Sequence, residues 1–509
     1  MRFRNPLATG GGYLAGAAAF LAPESLEHLH SMMQAIHSDL GFMKLFSENG
    51  DYVKFWHVRS SLTHLASISC FLDDGLQSSH NRQSWDNVKS VTPTSTDPRL
   101  AGRVAFTHPD FVVYTLARFL LVLSLEMLSV AVAWQVYEIT HRALDLGYVG
   151  LAQFLPGIVL FLFAGHAADL FDRRQLLMWC YGGFALCSAL LLLISWQAPH
   201  SVHLIYAVLA LLGSVRSFNF PASRAILPHL VPEEDFANAV AWNSSIFQIA
   251  TIAGPALGGI VYAVFRGPQT VYAIAVAVSI VALALTMRIK IGTAARSREP
   301  VSMRTVLAGF GFIWDKKLIL GSISLDMFAV LLGGAVALLP VYAREILHTG
   351  PWGLGLLRSA PGIGAAVMAI VVAHRPIRRR AGLTMLFCVA GFGVFTIAFG
   401  ISRSLILSLV ALFLCGASDM VSVIIRATLV QIVTPDQMRG RVNAVDMLFI
   451  GVSNELGEFE SGLTAHWFGA VPAVVLGGIG TLVVIGIWAW LFPELRNADQ
   501  LTVAELMPQ

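Results

Sequence analysis

The sequence has few charged residues and few cysteines, and each scarcity excludes a class of protein. Only 13% of its 509 residues are Asp, Glu, Lys or Arg, whereas soluble domains carry about 25%. A soluble globular core does not explain that balance. The five cysteines form neither a paired disulfide framework nor a CxxC metal-binding spacing. The net charge of +3 is too small to indicate a nucleic-acid partner.

Long apolar runs dominate the rest of the chain, because 56% of the residues are hydrophobic. Each run is long enough to cross a hydrocarbon layer of about 30 Å at 1.5 Å per residue. We therefore expect an all-α membrane protein with twelve transmembrane helices. The predicted spans are 111–138, 147–168, 175–196, 203–226, 239–265, 270–288, 318–342, 353–373, 383–402, 405–430, 443–468 and 471–492.

The basic residues of the loops predict the orientation of the bundle. If residue 110 is cytoplasmic, one side carries fifteen loop cations and the other carries four. The four are Arg142, Arg266, Arg344 and Arg403. The fifteen are Arg173, Arg174, Arg288, Lys290, Arg296, Arg298, Arg304, Lys316, Lys317, Arg375, Arg378, Arg379, Arg380, Arg439 and Arg441. The positive-inside rule then places both ends of the helical core in the cytoplasm.

Five segments follow from this pattern. They are a polar extension (1–104), a first six-helix half (105–288), a linker (289–317), a second half (318–495) and a cytoplasmic tail (496–509). We expect the extension to be disordered or to reflect a misassigned start codon. A signal peptide is the alternative, because Arg2 and Arg4 precede a stretch rich in Gly and Ala. No His or Cys spacing predicts a metal site, and no motif predicts a cofactor.

An internal repeat pairs each predicted span with the sixth span after it. Ser124-Leu125-Glu126-Met127 recurs as Ser324-Leu325-Asp326-Met327, and Asn238-Ala239-Val240 recurs as Asn443-Ala444-Val445. In the fourth and tenth spans, Arg224-Ala225 matches Arg426-Ala427. Three matches in the same order, at nearly constant offset, predict a parallel repeat of two six-helix halves related by an axis along the membrane normal.

The loop after the second span carries the pattern G-x-x-x-D-x-x-x-R-R. Its residues are Gly165, Asp169, Arg173 and Arg174, with a further acid at Asp172. This resembles the loop signature of the major facilitator superfamily. The resemblance implies that the acids and bases form a cytoplasmic latch that closes the inner gate. An ordinary basic turn is the alternative.

The fifth span contains a glycine-proline motif, with Gly254, Pro255, Gly258 and Gly259 in one short segment. It resembles the motif that marks the antiporter branch of the same superfamily, although Ala250 stands where the fuller motif prefers Gly. Proline removes a backbone donor and the glycines permit close packing, so the helix can bend against its neighbour. A plain packing role is the alternative.

Residues 105–495 as a whole resemble the bacterial exporters grouped with the enterobactin exporter and the macrolide efflux proteins. The segments that carry this resemblance are 221–225, 231–232, 254–259 and 434–442. The resemblance implies a multi-pass transporter of the bacterial inner membrane, working as a monomer, which moves a small molecule out of the cell.

Two acids occupy equivalent positions of the two halves, Glu126 in the first span and Asp326 in the seventh. Charges in mid-membrane cost about 2.5 to 3.5 kcal/mol each, which favours a functional role. In a poorly hydrated cavity such an acid can hold a proton and release it when water enters. The alternative is structural pairing with a buried arginine. The candidate arginines are Arg118, Arg216, Arg224 and Arg426.

Arg118 lies eight residues before Glu126, about 12 Å along a helix, so we expect each to have another partner. The eleventh span carries a second acidic group with Glu455 and Glu458 on one helix face. This pair suits a polar cavity wall or a cation site, or else a network with arginines. Asp419 in the tenth span belongs with these candidates.

These patterns predict a proton-driven exporter of a small amphipathic molecule such as a siderophore or a drug. The partners are the small molecule, protons and the lipid bilayer. Uptake or another solute antiport is one alternative, and a membrane sensor or scaffold without transport is another. No nucleophile constellation or phosphate-binding loop supports an enzyme.

Overall fold

The computed structural model of the protein describes residues 102–197, 201–289, 303–377 and 379–499. Helices form nearly all of these ranges, and the ranges contain no β-strand. The first half comprises α1 (Pro109–Thr140), α2 (Ala143–Leu170), α3 (Arg173–Gln197), α4 (Val202–Ile226), α5 (Phe236–Phe265) and α6 (Pro268–Thr286). The second comprises α7 (Lys317–Gly333), α8 (Gly350–His374), α9 (Ala381–Ile401), α10 (Leu405–Val433), α11 (Asp436–Phe468) and α12 (Ala470–Leu491).

Tight turns join the helices at one end of the bundle. His141 ends α1 and Arg266 ends α5 in the left-handed region, with φ of 52° and 54°. Gly469, with φ of 91°, separates α11 from α12. Pro268 starts α6 at a position where its missing N–H costs nothing. We call this the outer end, because the loop charges predict that it faces away from the cytoplasm, and we call the opposite end the inner end.

Eleven helices of the described part are long and apolar enough to cross a membrane. The predicted all-α membrane fold is therefore confirmed. Of α1 to α12, the one that does not meet this criterion is α11, which is 33 residues long but carries the acidic residues of the eleventh predicted span. The count of twelve crossings stays a prediction that depends on α11.

A helix interrupts the predicted linker 289–317. The linker helix (Met303–Asp315) precedes α7, and its buried Ile313 lies in an apolar cluster with Val430 of α10 and Val442 of α11. Trp314 on the same helix is exposed. Thirteen residues are too few to cross a hydrocarbon layer, so the pattern of long apolar runs does not predict this helix.

The helix contacts repeat between the halves with a shift of six. In the first half α1 packs on α5 and α6, α2 packs on α4, and α3 packs on α4 and α6. In the second half α7 packs on α11 and α12, α8 packs on α10, and α9 packs on α10 and α12. The contacts between halves, α2 with α11 and α5 with α8, are exchanged by the same shift. This is the pairing expected of a parallel repeat.

Glycines bring the halves together near the outer end. A side chain at Gly462 of α11 would place its Cβ 2.9 Å from the Cα of Gly147 in α2. On the other side of the bundle, Ser359 Oγ of α8 donates a 2.7 Å hydrogen bond to the carbonyl of Ile252 in α5. The Tyr137 hydroxyl at the end of α1 also donates to the carboxylate of Glu345 in the segment after α7. The outer ends of the two halves are therefore in contact.

Toward the inner end, polar side chains between the halves are exposed. They are Arg216 and Arg224 of α4, which interact with residues of α11. Here Arg224 Nη2 lies 4.0 Å from Met447 Sδ of the other half. This arrangement is the one expected of a bundle that opens toward its inner end.

The segment just before α1 is held against α5. Trp242 Nε1 donates a 2.8 Å hydrogen bond to the carbonyl of Gly102, and His108 Nε2 lies 2.8 Å from Asp235 Oδ2. The Phe106 ring packs edge-on against Trp242 at 5.0 Å between centroids. Of the predicted polar extension 1–104, residues 1–101 lie outside the described residues.

The glycine contact yields a test of how the halves close. A Cβ at residue 462 would already lie only 2.9 Å from the Cα of Gly147. The larger side chain of Gly462→Leu therefore keeps the outer ends of α2 and α11 apart. We expect the variant to populate a form that opens at the outer end, measured as faster labelling of a cavity cysteine by a membrane-impermeant thiol reagent.

The matched control is Gly486→Leu in α12, because a Cβ there meets nothing within 4 Å. It should leave the labelling rate unchanged. Equal rates for Gly462→Leu and the unaltered protein would contradict the assignment of this contact as the outer closure.

Candidate functional site

A cluster of charged side chains lies between the two halves. It contains Glu126 of α1 and Arg216 of α4 from the first half, with Arg358 of α8 and Glu455 and Glu458 of α11 from the second. Glu126, Arg358, Glu455 and Glu458 are half-buried, whereas Arg216 is exposed. We call these five residues the central cluster.

The glycine-proline motif of α5 holds Glu126 in place. A Cβ at Gly254 would lie 3.0 Å from the carbonyl oxygen of Leu123 and 3.4 Å from Glu126 Cγ. A Cβ at Gly258 would lie 2.7 Å from the Cα of Met127. Because these positions are glycine, α5 lies directly on the segment of α1 that carries the acid.

The same motif contacts the second half. A Cβ at Gly259 would lie 3.0 Å from the Cα of Gly355 in α8. A Cβ at Gly355 would in turn lie 3.2 Å from Ala256, the residue after Pro255. The motif therefore packs on α1 within its own half and on α8 across the boundary between halves. A change in the angle between the halves acts on the helix that supports Glu126.

Glu458 packs against another glycine of the first half. A Cβ at Gly150 in α2 would lie 2.9 Å from Glu458 Oε2. Glu455 and Glu458 interact electrostatically with each other and with Arg216 and Arg358, and Glu458 also interacts with Glu126. The spacing of i and i+3 does place both α11 acids on one face. These interactions connect acids and bases from both halves.

A second charged group lies within the second half. Arg426 of α10 is buried, and its Nη2 lies 3.4 Å from Asp326 Oδ2 of α7. Its Nη1 donates to Asp446 of α11. Asp419, about two helical turns before Arg426 on α10, interacts electrostatically with Asp326 and Arg426. We call Asp326, Arg426 and Asp446 the inner triad.

The structure therefore separates the two acids that the repeat pairs. Glu126 faces charged groups of the other half, whereas Asp326 has a buried arginine in its own half. Arg426 was among the candidate partners, and Asp446 of the acidic span completes its pairing. The equivalent arginine of the first half, Arg224, has no carboxylate partner among the described residues.

Arg118 binds neutral partners. Its Nη1 donates a 2.9 Å hydrogen bond to Asn243 Oδ1 of α5 and lies 3.4 Å from the Tyr114 hydroxyl. That hydroxyl in turn donates to the carbonyl of Ser223 at 2.8 Å. No described contact joins Arg118 to Glu126, in agreement with their distance along the helix.

The loop motif after α2 binds within the first half. Asp172 Oδ1 accepts hydrogen bonds from the backbone N–H groups of Arg174 and Gln175, at 2.9 and 3.1 Å, and thus caps the start of α3. Arg174 Nε donates to the carbonyl of Thr286 at the end of α6. Arg173 contacts His229. The surroundings of Gly165 and the side chain of Asp169 lie outside what the structure describes.

The sequence analysis did not single out Arg358, although an arginine within the eighth apolar span was the signal that could have found it.

In the part of the chain that the structure describes, no group of three or more His, Cys, Asp or Glu residues is arranged to hold a metal ion. The central cluster offers acid–base chemistry, because its acids and bases come from both halves and interact with one another.

The sequence matches one protein family and is similar to characterised exporters. The family model of the Major Facilitator Superfamily matches residues 114–458. The enterobactin exporter EntS of Citrobacter koseri is 27% identical over 423 residues, which cover 82% of this chain and 97% of that protein. EntS of Escherichia coli strain K12 is 26% identical over 397 residues, covering 77% and 94%.

Solved structures share the fold at low sequence identity. The nucleoside transporter NupG superimposes with a TM-score of 0.57 at 13% identity, covering 75% of this chain and 99% of that one. A D-xylose-proton symporter gives a TM-score of 0.58 at 14% identity, covering 75% and 97%. These likenesses concern the fold alone.

The inner triad yields a stability test with an internal control. Arg426→Leu leaves the buried Asp326 and the half-buried Asp446 without their cation, and we expect it to lower the free energy of unfolding by about 3 to 5 kcal/mol. Arg224→Leu, at the repeat-equivalent position, removes no carboxylate partner and should cost much less. Thermal unfolding of the purified variants in detergent measures both, and equal losses would contradict the pairing described here.

Proposed function

The chain belongs to the major facilitator superfamily, and from that premise we propose that it is a proton-coupled exporter of a small amphipathic molecule, such as a siderophore or a drug. It works by alternating access, in which the halves rock around a site between them. The export direction draws on the glycine-proline motif of α5 and on relatives that bear the name enterobactin exporter. The protein acts as a monomer in the bacterial inner membrane, with both ends of its core in the cytoplasm.

One observation carries this proposal, namely that the central cluster is shared between the halves. Glu126 and Arg216 belong to one rigid unit and Glu455, Glu458 and Arg358 to the other. When the halves rock, the distances within each unit stay nearly fixed, whereas those between units change. The electrostatic surroundings of Glu126 and Glu458 therefore differ between the two states of the cycle, and so does their affinity for protons.

The charge count of the central cluster favours a proton as the coupling ion. Three carboxylates face two guanidinium groups, Arg216 and Arg358, so one acid has no cation of its own. A bound proton neutralises that acid and adds almost no volume to the site. Movement of one proton across the membrane into the cytoplasm, through a potential of 100 mV, supplies about 2.3 kcal/mol. This free energy biases the cycle toward extrusion.

The inner triad has a different role in this account. Asp326 and Asp446 neutralise Arg426 and join α7, α10 and α11 into a unit that moves as a whole. Asp419 adds a further acid beside this unit, where it contributes to proton transfer toward the inner end. The latch residues Asp169, Asp172, Arg173 and Arg174 close the inner end in the opposite state of the cycle.

Complementation of a deletion strain tests the coupling role. Cells that lack the gene should retain one metabolite that normal cells release, as measured by comparing cell extracts with the medium. We expect the unaltered gene to restore release and Glu126→Gln or Glu458→Gln to abolish it, because an amide cannot exchange a proton. A protonophore should have the same effect as these variants.

The control is Glu494→Gln, which alters an exposed carboxylate beyond α12 and should restore release fully. All variants must be present in the membrane in equal amounts. Full release by Glu126→Gln and Glu458→Gln would contradict proton coupling at the central cluster. A metabolite depleted from the deletion strain would instead favour uptake, and no change in any metabolite would favour a sensor or scaffold.

A further inference from the structure

We propose that Arg118 and Arg224 form an anion-binding site in the transport cavity, and that the exported molecule is an aromatic anion. This inference rests on the proposed transport function and names its substrate class. The site lies apart from the central cluster, on the α1 and α4 walls toward the inner end.

The Tyr114 hydroxyl connects the two arginines, because it lies 3.4 Å from Arg118 Nη1 and donates to the carbonyl of Ser223, the residue before Arg224. The two guanidinium charges also interact electrostatically. Each bonds only to neutral groups in the described ranges. Arg118 donates to Asn243 and Tyr114, and Arg224 contacts the thioether of Met447 at 4.0 Å. Two positive charges that repel each other and lack an acid favour the approach of an anion.

The repeat shows what a neutralised version of this site looks like. Arg426 stands at the position equivalent to Arg224 and binds both Asp326 and Asp446. In the first half the equivalent of Asp446 is Ala241, at the offset of 205 that aligns α5 with α11. The equivalent of Asp326 is Glu126, which faces the central cluster instead. Arg426 thus has two carboxylate partners, whereas Arg224 has none in the part of the chain that the structure describes.

Arg224 lies in the last turn of α4, and an arginine without an acid partner is costly wherever it faces hydrocarbon. Placing a charge within the hydrocarbon layer costs about 2.5 to 3.5 kcal/mol on insertion scales, and such residues face a water-filled cavity and mark substrate pathways. Arg224 is exposed and reaches across the gap to Met447 of the other half. This contact directs it into the space between the halves, where a solute enters, and away from the surrounding lipid.

Aromatic rings accompany both arginines. The Arg224 guanidinium lies 4.5 Å from the ring centroid of Phe220, and that of Arg118 lies 5.4 Å from the ring centroid of Phe247. A planar guanidinium can stack on a ligand ring while its N–H groups bind oxygens in the same plane. The phenylalanines supply further apolar area. A ligand that uses both features has an aromatic ring and a negatively charged oxygen group.

Equilibrium binding to the purified protein tests this inference with three probes of the same ring and different charge. They are 2-naphthalenesulfonate, 2-naphthalenemethanol and 2-naphthylmethylammonium, titrated into protein in nanodiscs of phosphatidylcholine. We expect the sulfonate to bind at least about tenfold more tightly than the other two, a difference of about 1.4 kcal/mol. Inorganic phosphate should bind more weakly than the sulfonate, because it has no ring.

Two variants connect the binding to the arginines. Arg224→Gln removes the charge, and Ala241→Asp introduces the carboxylate that the second half has at residue 446. Both should weaken sulfonate binding by at least about tenfold, while Arg224→Lys retains most of it. Ala241→Asp keeps every residue of the site and thus serves if Arg224→Gln does not fold.

Several outcomes would overturn the proposal. They are equal affinity for all three naphthyl probes, unchanged sulfonate binding in Ala241→Asp, and phosphate binding as tight as sulfonate binding. Displacement of the sulfonate by phosphatidylglycerol in the nanodisc would assign the arginines to a lipid headgroup instead. Because this assay measures binding without transport, its result is separate from the complementation result, which tests export and proton coupling.

Discussion

A charge in the hydrocarbon layer costs several kcal/mol unless another group or water stabilises it, and this constraint explains where the ionisable residues of the bundle lie. The second half meets it internally, because Asp326 and Asp446 bind the buried Arg426. The first half does not. Its acid Glu126 interacts with Glu458 of the other half, Arg118 donates to neutral groups of its own half, and Arg224 contacts Met447 across the gap. The inner triad is thus neutralised within one half, whereas the charges of the central cluster have neighbours in both halves.

This asymmetry arises on a backbone that is nearly symmetric. The helix pairings of the first half recur in the second with a shift of six, and the glycine contacts near Gly147 and Gly259 close the outer end on both sides of the bundle. Duplication supplies two copies of each position, and the copies differ in side chains such as Ala241, where the equivalent residue of the second half is Asp446. The glycine-proline motif links them, since it supports Glu126 on one face and meets α8 on the other.

The sequence was sufficient for the membrane class, the superfamily and most helix boundaries, since long apolar runs and a repeated Ser-Leu-acid-Met segment are local signals. It did not reveal the linker helix, whose apolar face is too short to register as a span. Nor could it tell Glu126 from Asp326, because their local sequences are alike and their surroundings differ through residues a hundred or more positions away. Arg358 is a different case, because an arginine within the eighth apolar span is itself a local signal. The roles of all these side chains in transport stay predictions.

The central claim is that protonation of the cluster between the halves, and not of the inner triad, accompanies the transport cycle. Infrared difference spectroscopy of the protein in lipid, recorded as the pH is lowered, tests it most directly through the carbonyl stretch of a newly protonated carboxyl group. The account predicts such a band in the unaltered protein and in Asp326→Asn, and its loss in Glu126→Gln or Glu458→Gln. A band that persists in both glutamine variants, or that disappears only in Asp326→Asn, would contradict it.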